Sequence, residues 1–211
     1  MQTTRRAYLA AVAGATGGLA GCLGGGGGGS DCDAEQESPV ESLPAPVLGD
    51  PDADVTVMAF EDFACGHCAT YSLEHFPTIR SEYVDTGKIR YEHHDYPIPV
   101  DRKWSWAAAS AARGVYDETD AETFFEYTHA VFENQGDLSL DTLQSLADEV
   151  GAPGCDVRED ADTGTYRPVV EADRARGDQL GIPGTPAIFV DGQLQRSYAA
   201  SSISSAIESR L

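Results

Sequence analysis

Two cysteines separated by a Gly-His pair, Cys65-Gly66-His67-Cys68, are the residues whose types and spacing most directly suggest chemistry. They follow an apolar and β-branched run at positions 55–60. Such a pair can act as a redox-active dithiol, supply half of a metal site, or form a structural disulfide. Which of the three applies depends on the elements that position the cysteines.

Redox chemistry is favoured by the place of the motif between a strand and a helix. Residues 55–60 predict a buried strand, and the apolar spacing over 65–85 predicts a helix. Cys65 would lie at the helix N-terminus, where backbone N–H groups and the helix dipole stabilise a thiolate. His67, when protonated, can lower the pKa of the thiol further. Cys68, one turn along and more buried, is suited to resolve a mixed disulfide.

A zinc site and a structural disulfide are the two alternatives. Cys65 and Cys68 with two of His67, His93 and His94 could supply four zinc ligands. However, no second CxxC is present, and adjacent strand residues such as His93 and His94 point to opposite faces. A disulfide closing so short a loop would stabilise almost nothing. We therefore expect no metal and no cofactor, with the electrons coming from protein thiols.

The rest of the chain predicts a mixed sheet with helices packed on it, in the order β, α, β, a helical block, β, β, α. A crossover helix implies parallel strands in the first half, and Asp191-Gly192 is a two-residue hairpin turn in the second. Pro77 should kink the first helix, Ser139 should cap a later one, and Gly164 and Pro168 are weak points. The further predicted elements are strands over 88–94, 187–190 and 194–197, and helices over 102–116, 121–134, 140–150, 157–178 and 202–210.

The CxxC motif, together with a distant Gly184-Thr185-Pro186 before a late strand, resembles the thioredoxin superfamily. The helical block between the two motifs resembles its DsbA-like branch. This resemblance covers about residues 47–211 and implies an α/β thioredoxin fold, with a mixed central sheet and a helical insertion over about 100–178. It also implies a protein thiol–disulfide oxidoreductase that acts on exported proteins.

The same resemblance implies roles for individual residues. Cys65 would be the attacking thiolate and Cys68 the resolving thiol of a redox-active disulfide, with His67 tuning the pair. Pro186 would follow a cis peptide bond, and Thr185 and Pro186 would contact the substrate. The Gly-His dipeptide resembles that of protein disulfide isomerase, which favours forming or isomerising disulfides. A disulfide reductase and a non-catalytic binding or chaperone module remain alternatives.

One position departs from the superfamily pattern. A buried acid often lies six residues before the first cysteine, but here that position is Ala59. Strand alternation places Glu61 on the same face as Ala59, two residues along. Glu61 could therefore replace the missing acid, or Glu61 and Asp62 could be a solvent-facing pair near the site.

The N-terminus resembles an export signal. Paired arginines, Arg5 and Arg6, precede a short apolar run, so residues 1–21 predict a twin-arginine signal peptide. The run ends in Leu-Ala-Gly-Cys22, which resembles a lipobox and predicts lipidation of Cys22. Residues 22–46 predict a flexible, Gly-rich tether. The domain would then lie on the outer face of the cytoplasmic membrane, held by a lipid anchor.

The chain is strongly acidic, with a formal net charge of -21, and removal of Arg5 and Arg6 with the signal peptide changes this to -23. Such a charge disfavours nucleic acid as a partner. With only two lysines, it resembles the proteins of salt-loving archaea. The partners expected are exported protein thiols and disulfides and a membrane redox partner that recycles the dithiol. Cys32 and Cys155 are left over and could form an intramolecular disulfide, an intermolecular one, or remain thiols.

Overall fold

The structure, a computed structural model, describes Cys32, residues 38–98 and residues 100–211. The chain divides into two units, Met1–Asp33 and Ala34–Leu211. The predicted signal peptide, Cys22 and most of the predicted tether lie outside the described residues. The second unit carries the sheet, the helices and the CxxC motif.

Five strands form one mixed sheet in the order β1-β3-β2-β4-β5. The strands are β1 (Val47–Gly49), β2 (Val55–Glu61), β3 (Ile89–Asp95), β4 (Ala187–Val190) and β5 (Gln193–Leu194). As predicted, β2 and β3 are parallel, and β4 and β5 form an antiparallel hairpin. Its turn residues Asp191 and Gly192 both have positive φ, as a tight hairpin requires.

The two edge strands differ from the sequence-based prediction. β1 was not predicted, because three residues carry too little pattern; it pairs antiparallel with β3. The last strand, expected over 194–197, is only Gln193–Leu194. Both of its residues are exposed, so no apolar burial favours a longer pairing.

Eight α-helices are found in the described part of the chain: α1 (Gly66–Thr70), α2 (Phe76–Ile79), α3 (Trp104–Glu118), α4 (Ala121–Glu133), α5 (Leu140–Glu149), α6 (Gly154–Thr163), α7 (Arg167–Leu180) and α8 (Ala200–Glu208). The π-helical turns Tyr71–His75 and Arg80–Val84 extend α1 and α2 into one helical run, with Pro77 in the first turn of α2. Ser139 caps α5 as predicted, by accepting a hydrogen bond from the Thr142 N–H. No helix in this part of the chain is long and apolar enough to span a bilayer.

The helix predicted over 157–178 is divided into α6 and α7. Gly164 ends α6 with a φ of 72°, a left-handed conformation that favours glycine. Pro168 lies in the first turn of α7, where its missing N–H leaves no hydrogen bond unmade. The two weak points in the sequence therefore end one helix and begin the next.

The sheet is buried on both faces. Val57 and Ala59 of β2 point into the larger apolar cluster, while Phe60 points into a smaller one with Phe189 of β4. The segment before β1 lies along this domain, because the Val40 N–H donates to Thr165 O over 2.9 Å and the His93 N–H donates to Pro46 O over 3.1 Å. The alternation of side chains along β2 places Glu61 on the same face as Ala59, which is the face of the larger cluster.

Candidate redox site

Cys65 and Cys68 lie where β2 ends and α1 begins, and both are free thiols. Cys65 is the N-cap residue of α1 and is 6% exposed, whereas Cys68, inside the first turn, is 0% exposed. The buried Asp62 carboxylate supports the turn before them by accepting hydrogen bonds from the Ala64 and Ile98 N–H groups. The turn therefore leaves Cys65 slightly exposed and encloses Cys68 completely.

The Gly-Thr-Pro motif lies opposite this sulfur. The Thr185–Pro186 peptide bond is cis, as the resemblance predicted. The Cys65 thiol donates to the Thr185 carbonyl, with 3.5 Å between sulfur and oxygen. The Thr185 hydroxyl is buried and has no hydrogen-bond partner among the described residues while Cys65 is a thiol, so it is free to donate to the sulfur when Cys65 ionises. Thr185 thus has two polar atoms close to the Cys65 sulfur.

The pKa values of the two thiols are shifted in opposite directions. A hydrogen bond from the Cys68 thiol, with further ones from the Thr185 side chain and the backbone N–H groups of Cys68 and His67, outweighs burial and lowers the pKa of Cys65 to about 5. Burial, the hydrogen bond that Cys68 gives to Cys65, and the nearby Glu61 charge raise the pKa of Cys68 well above its usual value. At neutral pH Cys65 is a thiolate and Cys68 a thiol.

We predict that alkylation of Cys65 in the reduced protein rises with pH around pH 5 and reaches a plateau well below pH 7. The reason is that only the thiolate reacts, and its population grows as pH passes the pKa. Thr185→Val removes a hydroxyl that stabilises the thiolate, so its profile should move to higher pH. Iodoacetamide labelling followed by mass spectrometry measures both profiles. A wild-type midpoint near pH 8 would contradict this assignment.

His67 contacts a residue that the sequence did not indicate. Its Nδ1 lies 3.1 Å from the Tyr198 hydroxyl, and the two rings are 6.1 Å apart. Among the described residues, no hydrogen bond joins the His67 ring to either sulfur. The part of His67 that stabilises the Cys65 thiolate is its backbone N–H. Tyr198 lies in the loop before α8, far along the chain, so no local pattern connects it to the motif.

We predict that Tyr198→Phe changes the reactivity of the site through His67. Without the hydroxyl, the ring is free to approach the Cys65 sulfur, where a protonated imidazole stabilises the thiolate. Alkylation midpoints should therefore fall by a few tenths of a pH unit or more, and His67→Ala should abolish that difference. Equal midpoints with and without the hydroxyl would show that the contact has no effect on the sulfur.

Glu61 is buried, so the solvent-facing interpretation of the acid pair is wrong. Its side chain lies on the Ala59 face of β2, and one carboxyl oxygen has no hydrogen-bond partner among the described residues. Burial raises the pKa of Glu61, although His93 lowers it. Asp62 is also buried, and its carboxylate accepts a hydrogen bond from the Ala64 N–H in the turn that precedes Cys65. Of the two acids, Glu61 is the one whose charge acts on Cys68.

His93 lies between two carboxylates, beside Glu61 and close to Asp95. Its Nδ1 is 3.7 Å from Glu61 and its Nε2 is 3.4 Å from Asp95, because the parallel register pairs Ala59 with His93 and Glu61 with Asp95. Burial alone would lower the pKa of His93, but the two carboxylates raise it to about 9. His93 is therefore a buried cation at neutral pH.

Arg113 of α3 continues this network toward the helical insertion. It is fully buried, and its guanidinium lies 2.6 Å from Asp95 and 2.6 Å from Asp173 of α7. His94, on the other face of β3, lies 2.9 Å from Asp173. In the sequence, the sign of this network was Arg113 itself, a single arginine next to the small, mostly apolar residues of α3.

The histidines considered as zinc ligands have carboxylate partners. His93 contacts Glu61 and Asp95, and His94 contacts Asp173 and Glu92. Within the described ranges, no group of three or more His, Cys, Asp or Glu side chains could hold a metal ion. The geometry at Cys65 and Cys68 suits thiol exchange.

Cys32 and Cys155, whose state the sequence left open, are both disulfide-bonded. We predict that both resist alkylation when the non-reduced protein is unfolded in the presence of iodoacetamide. Peptide mapping by mass spectrometry measures this directly. A linked peptide containing both residues from monomeric protein would identify an intramolecular bridge, and an alkylated Cys32 or Cys155 would contradict the prediction.

A mixed sheet, two free thiols at a helix N-terminus and a facing cis-proline turn together define a thioredoxin fold, and the helical insertion makes it DsbA-like. A family model described as thioredoxin matches residues 41–209, and the chain belongs to that family.

Similar proteins agree with this assignment. Disulfide bond formation protein D of Bacillus subtilis is 28% identical over 73% of this chain and 71% of its own length. The crystal structure of oxidised BdbD from Bacillus subtilis has a TM-score of 0.73 at 28% identity, covering 82% of this chain and 98% of that one. Chlamydia trachomatis DsbA has a TM-score of 0.69 at 22% identity, covering 83% and 96%, and shows the fold alone. The chain is a DsbA-like thiol–disulfide oxidoreductase.

Proposed function

We propose that the protein forms or isomerises disulfides in exported proteins through Cys65 and Cys68. The observation that carries this proposal is the pairing of a slightly exposed Cys65, whose sulfur lies 3.5 Å from the Thr185 carbonyl, with a fully buried Cys68. The name of the Bacillus subtilis relative, a disulfide bond formation protein, supports the same direction.

The exchange takes place in two displacements. A substrate thiolate attacks the sulfur of Cys65 in the oxidised protein, a bond between substrate and Cys65 forms, and the Cys65–Cys68 bond breaks. Cys68 leaves as a thiolate and takes up a proton. A second substrate thiolate then attacks the substrate sulfur of the mixed disulfide, and Cys65 leaves as a thiolate. The substrate loses two electrons, and the cysteine pair gains them.

The acidity of Cys65 favours oxidation of the substrate. A pKa of about 5 makes Cys65 a good leaving group and stabilises the reduced form of the pair at neutral pH. A stabilised reduced form makes the enzyme disulfide easy to reduce. The protein therefore donates its disulfide to substrates, and a membrane redox partner reoxidises it.

Glu61 is the proton partner of Cys68 in this scheme. Cys68 is buried and its pKa is raised, so the departing thiolate needs a nearby proton donor. Glu61 is buried on the same face, its pKa is raised, and its charge acts on Cys68. Glu61 therefore has the role of the buried acid that members of the superfamily often carry at the position of Ala59.

Thr185 and Pro186 hold the substrate beside Cys65. The Thr185 carbonyl and hydroxyl already lie at the sulfur, and an extended substrate segment can pair with backbone groups of this turn. His67 tunes the pair through its backbone N–H, which stabilises the Cys65 thiolate.

We also propose that the protein is exported and anchored to the membrane by a lipid. Arg5, Arg6 and the sequence ending in Cys22 support twin-arginine export and a lipid anchor, and the acidic composition supports a high-salt environment. Under this proposal the domain acts at the outer face of the cytoplasmic membrane. Cys22→Ser should release it into the medium, and persistent membrane attachment would exclude lipidation at Cys22.

A stoichiometric oxidation assay tests the function. The oxidised protein is mixed in molar salt with a reduced, unfolded protein that has two cysteines, and the disulfides are counted by mass spectrometry. We expect about one substrate disulfide for each enzyme disulfide consumed. Absence of transfer, with the enzyme folded and fully oxidised, would reject the proposal.

A further inference from the structure

Both tryptophans of the chain lie half-buried at the start of α3, with cations over their rings. The Lys103 ammonium is 4.4 Å from the centre of the Trp104 ring. The guanidinium groups of Arg167 and Arg174, both from α7, are 4.0 Å and 5.7 Å from the centre of the Trp106 ring. We call this surface the cationic patch; it consists of Arg102, Lys103, Trp104, Trp106, Arg167 and Arg174.

Three of the four cations have no carboxylate partner in the part of the chain that the structure describes. Arg167 pairs with Glu171, but Arg102, Lys103 and Arg174 form no ion pair there. Stacking on the indole rings holds the cations in place, so little order is lost when they bind a ligand. Trp and Arg are also the residue types that are enriched at protein interfaces.

The carboxylates near these cations already have hydrogen-bond donors. Asp101 accepts hydrogen bonds from the backbone N–H groups of Lys103 and Trp104, both over 2.8 Å. Asp178, on α7, accepts one from the Tyr96 hydroxyl over 2.7 Å. The patch therefore keeps a local surplus of positive charge on a chain whose formal net charge is -21.

One side of the patch borders the turn that carries Cys65. Ser105 lies between the two tryptophans in sequence, and its hydroxyl donates to the Ile98 carbonyl over 3.4 Å. The Ile98 N–H donates to the Asp62 carboxylate over 2.7 Å, and the Cys65 N–H donates to the Asp62 carbonyl over 3.0 Å. A short series of hydrogen bonds thus joins the first turn of α3 to Cys65.

The other side of the patch borders the loop that carries Thr185. Arg174 lies near Tyr96, since its charge acts on the Tyr96 phenol. Gly177, about one turn further along α7, lies against the same ring, where an added Cβ would be only 2.5 Å from it. Ile182, from the loop before Thr185, packs in the same apolar cluster as Tyr96. The patch therefore lies beside both halves of the redox site.

We propose that the cationic patch binds acidic segments of the substrate polypeptide, so that acidic exported proteins are the preferred substrates. The proposal rests on the function proposed above and names its substrate class. Carboxylates of the substrate supply the ion-pair partners that Lys103 and Arg174 lack. The two displacements of thiol exchange are unchanged. A membrane lying on the patch would also cover Cys65 and Thr185, so the geometry favours a polypeptide.

High salt is compatible with this recognition. An acidic substrate is repelled by the net charge of the chain, but in molar salt this repulsion is screened beyond about 3 Å. Direct contacts between carboxylates and guanidinium or ammonium groups act at about that distance, so they remain. The patch can therefore select acidic segments although the rest of the surface is acidic.

A pair of charge reversals tests the proposal. Lys103→Glu reverses a cation of the patch, and Lys88→Glu is the matched control, because Lys88 is also exposed over an aromatic ring, 5.4 Å from the centre of Tyr83, and precedes the opposite end of β3. Two reduced peptides, with Glu or Lys at the same positions around their cysteines, are oxidised in molar salt. Since flanking charges also change thiol reactivity, the ratio of the two rates is compared between variants.

We expect Lys103→Glu to lower the preference for the Glu peptide about fivefold, and Lys88→Glu to leave it as in the wild type. Exchange with glutathione, which has no acidic segment of this length, should be equal in the two variants. The same preference in Lys103→Glu as in Lys88→Glu would overturn the proposal.

Milder changes at the same position keep the test valid if the reversal disturbs α3. Lys103 is the N-cap residue of α3, where a negative charge favours the helix, so we expect Lys103→Glu to fold. Lys103→Gln removes the charge without reversing it and should lower the preference about twofold, whereas Lys103→Arg should keep it. Equal preferences in Lys103→Gln and Lys103→Arg would overturn the proposal.

Tryptophan fluorescence measures binding without thiol chemistry, because both tryptophans of the chain lie in the patch. The oxidised protein is titrated in molar salt with a cysteine-free Glu-rich peptide, a matched Lys-rich peptide and vesicles of anionic phospholipid. We expect a saturable change with the Glu-rich peptide, and an affinity at least threefold weaker in Lys103→Glu than in Lys88→Glu.

The outcomes of this titration separate the patch from the proposed function. No response to the Glu-rich peptide would overturn the proposal whatever the oxidation activity. A stronger response to the vesicles than to the Glu-rich peptide would also overturn it, and would assign this surface to a membrane. Saturable binding of the Glu-rich peptide by a protein that oxidises no substrate would keep the patch and reject the function.

Discussion

Cys65→Ala is expected to lower thiol exchange by several orders of magnitude, to the rate of the uncatalysed reaction, because in the proposed reaction Cys65 is the sulfur that bonds to the substrate. Cys68→Ala should behave differently. It keeps the thiolate at Cys65 but removes the group that resolves a mixed disulfide, so covalent complexes with substrates should accumulate. Non-reducing electrophoresis and mass spectrometry measure both outcomes.

The same pair of variants separates a catalyst from a binding module. A chaperone would keep suppressing aggregation of an unfolded protein in the Cys65→Ala variant, with no dependence on the thiol. Cys155→Ala is not a neutral comparison, since Cys155 is disulfide-bonded, so Ser81→Ala serves as the control. Full exchange activity in Cys65→Ala would contradict the assignment of the attacking thiolate.

Arg113→Met is expected to lower the free energy of unfolding by about 3–5 kcal/mol, because it removes the guanidinium that pairs with the buried Asp95 and the half-buried Asp173. Asp95 is fully buried, and although burial raises its pKa, Arg113 and His93 together lower that pKa to about 2. Arg113 also joins β3 to α3 and α7 through Asp95 and Asp173. Its loss should therefore loosen the helical insertion from the sheet.

Chemical unfolding in molar salt, followed by circular dichroism, measures this effect. Arg167→Met is the matched control, since Arg167 pairs with Glu171 on the exposed surface of α7 and such pairs contribute about 0–1 kcal/mol. A loss below about 1 kcal/mol in Arg113→Met would show that the network adds no more than a surface pair.

The sequence indicated the parts of the site that local patterns determine. A CxxC after an apolar strand predicts a thiol at a helix start, which is present at Cys65. The cis bond before Pro186 was predicted by the resemblance to the thioredoxin superfamily, and it is present. The Asp191-Gly192 hairpin and the Ser139 cap follow from the same kind of local rule.

The contacts that could not be predicted from the sequence join residues far apart in the chain. Arg113 meets Asp95 and Asp173 across 18 and 60 positions, and His67 meets Tyr198 across 131. Pairing of this kind is fixed by the packing of elements, which no periodicity encodes. Strand alternation gave the face of Glu61, but its burial depends on the helices that cover that face.

The reduction potential of the Cys65–Cys68 pair tests the central claim most directly. The protein is equilibrated with glutathione buffers in molar salt, and the fraction of reduced pair is read by alkylation and mass spectrometry. A stabilised Cys65 thiolate predicts a potential of about -120 to -180 mV, the range of proteins that donate disulfides. A value near about -270 mV, that of thioredoxin, would contradict the claim and assign the protein to disulfide reduction.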